Sequence, residues 1–70
     1  MDVALANILF RSTGSRFDPR RGLTFRQQGF YQANVSYIQE GIRTEYGVML
    51  PLNTIWDSTP DQLQNHCRAR

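Results

Sequence analysis

Apolar residues recur along this chain with the 3.6-residue period of amphipathic helices, in segments cut apart by glycine and proline. The first segment opens at Asp2, whose carboxylate can accept from the free N–H groups of a first helical turn. Leu5, Ile8 and Leu9 follow at helical spacing and define one apolar face. Ser12-Thr13-Gly14 ends it, with Gly14 suited to the left-handed position after a helix. "SRFDPRRG" (Ser15 to Gly22) reads as a long loop by its Asp-Pro, glycine and charge content. Phe17 is its apolar exception and is expected to fold back onto the core.

"TFRQ" (Thr24 to Gln27) fits a capping box, in which Thr24 and Gln27 satisfy each other's backbone N–H groups. It predicts a short helical turn interrupted by Gly29. The main helix is predicted from Tyr31 to Tyr46. Tyr31, Val35, Ile38, Ile42 and Tyr46 form one apolar stripe, and Glu40 and Arg43 can pair on the wet side. Gly47 supplies the C-cap and Pro51 prevents the helix from continuing. "LNTIWDS" (Leu52 to Ser58) has length for one or two turns. "TPDQ" (Thr59 to Gln62) then starts a last helix, with Thr59 as N-cap, Pro60 in the first turn and Gln62 closing the box. Leu63 and Cys67 lie one turn apart as its buried face. No β-alternation or repeat is present. The pattern predicts one all-α domain over residues 1–70: three main helices, a short extra helix and a long first loop.

Composition narrows the class. Seventy residues bury only about 60% of the surface that the unfolded chain exposes, so stability is expected to be marginal. One cysteine allows no internal disulfide and fits a reducing, cytoplasmic setting. No apolar run approaches the roughly 20 residues of a membrane span, and Val3 to Phe10 is too short for a signal peptide. All eight basic residues are arginine, and five of them lie between Arg11 and Arg26, where Asp18 is the only acid. The positive charge therefore belongs to a connecting segment and not to a helix face. Three readings stay open for it: a solvated loop, a basic surface that docks an acidic protein through residues such as Arg20 and Arg21, or a phosphate-binding surface for nucleic acid.

The stretch "IRTEYGVMLPLNTIWDSTPDQL" (Ile42 to Leu63) resembles the acyl and peptidyl carrier proteins of fatty acid, polyketide and nonribosomal peptide synthesis. Those typically end their second helix in "IREEFGVELPL", followed by a short apolar third helix and a "PT" or "TP" start to the fourth. Upstream, "FDPRRGLTF" (Phe17 to Phe25) resembles the family's "IDPDRSLFE". The match covers most of the chain, with one residue missing after Trp56. The resemblance implies a four-helix carrier-like bundle. It also implies a serine at the start of the second helix, in a pattern like "LGxDSL", to which 4′-phosphopantetheine is joined. Counting back from Gly47, with Ile38, Ile42 and Tyr46 held on the core face, that pattern falls on Gln28-Gly29-Phe30-Tyr31-Gln32-Ala33. Only Gly29 matches. Gln32 stands at the serine's position, and a carboxamide cannot replace the hydroxyl as nucleophile toward phosphorus.

This reading makes the chain a degenerate carrier-like domain with no cofactor expected. It would serve as an interaction or structural module whose partners are biosynthetic enzyme or carrier domains. Phe30, Tyr31, Gln32 and Trp56 would lie at the surface that carriers use for docking. Each aromatic also has a core reading: Tyr31 begins the stripe, Phe30 covers the bundle's end, and Trp56 occupies a position where carriers have a core aromatic. The alternative is a working carrier with 4′-phosphopantetheine on Ser36, which requires a main helix about one turn shorter. A further alternative is a small basic nucleic-acid-binding protein. No triad, carboxylate pair or phosphate-cradling glycine loop is present, so no enzyme activity is expected. His66 and Cys67, about 100° apart on a helix, form neither a nucleophile pair nor a metal site; His66 is expected exposed and Cys67 packed.

Overall fold

A computed structural model describes residues 2–14 and 22–68. Four helices follow one another: α1 (Val3–Thr13), α2 (Gln32–Tyr46), α3 (Leu52–Trp56) and α4 (Pro60–Arg68). The fold is all-α, a small helical bundle. The Ser15 to Arg21 part of the long loop, with Phe17, Arg20 and Arg21, lies outside the described residues.

Helix ends sit where the sequence puts them, for identifiable reasons. Asp2 Oδ1 accepts from the Leu5 N–H at 3.1 Å, which caps α1. Gly14 (φ 63°) and Gly47 (φ 68°) close α1 and α2 in the left-handed conformation, donating to the carbonyls of Phe10 and Arg43. Thr59 and Gln62 form both arms of the box that opens α4. Glu40 and Arg43 pair on the exposed side of α2.

The segment before α2 is a complete single helical turn. Thr24 Oγ1 accepts from the Gln27 N–H and Gln27 Oε1 from the Thr24 N–H. At its far end Gly29 takes φ 81°; its N–H donates to the Arg26 carbonyl and the Phe30 N–H to the Phe25 carbonyl. These two bonds make a Schellman closure, whose usual companion is an apolar contact between the residues they span. Phe25 and Phe30 supply it, edge to face with ring centroids 4.8 Å apart.

That closure corrects one expectation. Tyr31 does not begin the core stripe: it is 69% exposed, while Phe30 is buried at 8%. Tyr31 is the N-cap of α2, with extended dihedrals (φ −89°, ψ 161°), so helical spacing does not carry back from Val35 to it. The predicted start of α2 moves by one residue for the same reason. Of the rest of the stripe, Val35, Ile38 and Ile42 are fully buried against Leu5, Leu9, Phe25, Ile55 and Leu63, and Tyr46 is partly buried at its end. Cys67 joins that core, and burial foremost pushes its thiol up to about 11. His66 is exposed.

Helices α1 and α2 run antiparallel and are tied at both ends. At one end Asn34 Nδ2 donates to the Ser12 carbonyl. At the other, Tyr46 Oη donates to Asp2 Oδ1 at 2.6 Å. Between them Gly41 lets α1 approach: a Cβ there would lie 2.8 Å from Ile8 Cγ2. Gln64, buried on α4, completes the Asp2 end by accepting from the Asp2 N–H and donating to Oδ2.

Candidate functional site

The candidate residues gather around the capped turn of residues 24–29, which joins the start of α2 to the end of α3. The first N–H groups of that turn have no partner within it. Phe25 and Arg26 donate them to the carbonyls of Ser58 and Trp56, at 3.1 and 3.0 Å. The Arg26 guanidinium stands over the Trp56 ring, 5.2 Å from its centroid, and its Nε donates to Asp57 Oδ1 at 3.0 Å. Trp56 is thus half-buried, with its inner edge on the core and its face under a cation. Arg26 is a site residue that sequence reasoning missed, because it was counted only as one charge of the arginine-rich segment.

On the other side of the turn, Tyr31 and Gln32 are both exposed at the head of α2. The Tyr31 N–H donates to Asn34 Oδ1 at 2.8 Å. Only this half of a capping box forms, since a tyrosine has no short side-chain oxygen to return the bond. Thr13, Gln28, Gly29, Phe30, Tyr31 and Asn34 line a cleft of about 130 Å³ between the end of α1 and the start of α2. Phe30 forms part of its wall from within the core and does not project as an anchor. Gln32 is the first residue of α2 and Ser36 lies one turn further in, also exposed. Arg20 and Arg21 fall outside the described residues.

No family model, curated protein or solved structure matches this chain. The chemistry of the site therefore rests on its own atoms. The head of α2 presents a phenol, a carboxamide and, one turn on, an unactivated hydroxyl. No acid or imidazole lies among the residues that line the cleft beside it. Among the described residues, no three His, Cys, Asp or Glu side chains come together to hold a metal ion, and no helix is long and apolar enough to cross a membrane. What the surface offers is hydrogen-bonding amides around an exposed aromatic.

Proposed function

We propose that this protein is a carrier-like helical domain that takes no phosphopantetheine and works as an interaction module within a polyketide, fatty acid or nonribosomal peptide biosynthetic system. One observation carries the reading. The first residue of α2 is Gln32, exposed and flanked by a 69% exposed Tyr31, where the resemblance calls for a serine behind an acid. A carboxamide at that place offers no nucleophile for an arm, while the adjoining phenol offers a partner a large contact surface with few rotatable bonds. The only match to the attachment pattern, Gly29, is explained by the turn it closes and needs no role in modification. Ser36 is accessible, yet it sits at the fifth position of α2, inside the helix that the alternative reading requires to be shorter.

The partner class is a synthase or carrier domain of the same biosynthetic system, meeting the head of α2 and the Arg26–Trp56 pair. Titration of such domains into isotope-labelled protein, followed by NMR, tests this. Perturbed amides are expected at residues 30–33 and 54–57, and Tyr31→Ala is expected to weaken binding about tenfold, the scale of an interface anchor. Met49→Ala, an exposed apolar change at the other end of α2, should leave it unchanged. Binding that ignores Tyr31→Ala, or no binding by any such domain, removes the proposal.

A further inference from the structure

Away from that site, α1 and α2 leave an open cleft of about 280 Å³ between them. Its floor is made where Ile8 lies against Gly41, and Tyr37, 46% exposed, forms an apolar wall. Gly41 is a costly residue in the middle of a helix, by about 1 kcal/mol against alanine. Its lack of a side chain keeps the cleft open as well as letting α1 in.

Charge is distributed along this cleft in a particular way. Three charged residues line it: Glu40, which is paired with Arg43, and Arg11 and Glu45, both exposed and neither paired with another described residue. Since the helices are antiparallel, the two lie on opposite sides of the Ile8–Gly41 contact. Arg11 is three residues past Ile8 and Glu45 four residues past Gly41, offsets of about 4.5 and 6 Å along the axes at 1.5 Å per residue. The unpaired charges therefore give the cleft a positive end and a negative end at similar distances from the Ile8–Gly41 contact. Such a surface is complementary to its own copy after a half-turn about an axis through the centre. That rotation sets Arg11 of each copy against Glu45 of the other, with the Ile8–Gly41 contact of each copy in the middle.

We infer that the α1–α2 cleft is a homodimer interface with two-fold symmetry, organised by reciprocal Arg11–Glu45 pairs around the Gly41 notch. An isologous contact needs one self-complementary patch, and this one is closed by symmetry. A contact confined to two short helices falls toward or below the lower bound of stable interfaces, about 1,200 Å² in total, so the dimer is weak and concentration-dependent. It leaves the head of α2 open.

Sedimentation velocity of the full chain from about 10 µM to about 1 mM, the range of a weak complex, reads the association. The wild type is expected to shift from monomer to dimer across it. Arg11→Glu and Glu45→Arg, each alone, place like charges together twice and weaken the dimer on the order of tenfold or more. An equimolar mixture of the two variants restores both pairs and should dimerise at least as well as wild type. Mixing also separates pairing from damage to a helix end, which it cannot repair; circular dichroism of each variant confirms its helix content. A wild type that stays monomeric throughout, single variants that still dimerise, or a mixture no better than its components would each overturn the inference.

Discussion

At the scale of residues, Asp2 does more than its place in the sequence announces. The Tyr46 hydroxyl, foremost, and then the Leu5 N–H and Gln64 hold its carboxyl below the ordinary value of 3.8, against the opposing effect of burial. Burial first and the Asp2 bond second push Tyr46 up to about 12 from 10.0. The signs give two limbs. Asp2 has a lowered folded value, so its contribution is complete above pH 3.8 and is lost as pH falls through that lowered value. Tyr46 and Cys67 have raised values, so theirs are complete below their unfolded 10.0 and 9.0 and are lost as pH rises toward about 12 and about 11. Tyr46→Phe is expected to cost about 1–2 kcal/mol at neutral pH, the worth of a hydrogen bond to a charged acceptor. It should also flatten the acid limb and leave only the Cys67 part of the alkaline one. Urea unfolding followed by circular dichroism between pH 2 and 12 measures this; a variant that keeps both limbs contradicts the assignment. The cap on α1 was legible in the sequence, because Asp2 lies three residues before Leu5, whose N–H donates to it. The bonds to Tyr46 and Gln64 were not, because they span 44 and 62 residues and depend on how the bundle closes.

At the scale of elements, boundaries were the legible part. Gly14, Gly47, Thr59 and the Thr24–Gln27 box are local devices, and local chemistry reads directly from the chain. The approach to α2 was harder. Sequence spacing gave Tyr31 to the core stripe, but spacing has meaning only between residues that share helical dihedrals. Gly29 ends one turn in the left-handed region and Tyr31 starts the next helix from an extended one, so Phe30 turns inward and Tyr31 outward. Gly41 escaped notice for the opposite reason. It fits the helix without a break, and only the neighbouring Ile8 shows why it lacks a side chain. Gly29→Ala tests the turn. A left-handed alanine costs roughly 1–2 kcal/mol, and the loss should appear as a lower urea midpoint with the m-value unchanged. An unchanged midpoint would mean that the turn does not depend on Gly29.

At the scale of the whole molecule, the four-helix arrangement and most of its core were legible, since both follow from periodicity and caps. The use of the surface was not, since exposed residues carry no periodic constraint. Contact chemistry at Tyr31, Gln32 and the Arg26–Trp56 pair must be argued from position. We propose a carrier-like scaffold that keeps its fold but departs from the attachment pattern at Gln28, Tyr31, Gln32 and Ala33. Restoring the missing side chains puts that proposal to the test. Wild type, Ser36→Ala and the triple variant Tyr31→Asp/Gln32→Ser/Ala33→Leu would each be incubated with coenzyme A and a broad-specificity phosphopantetheinyl transferase, then weighed intact by mass spectrometry. All three changed positions are exposed, so the triple variant is expected to fold, which circular dichroism checks. No adduct is expected on wild type or Ser36→Ala, and a single phosphopantetheine adduct on the triple variant. A folded triple variant that gains no adduct, or a wild-type adduct that vanishes in Ser36→Ala, would contradict it.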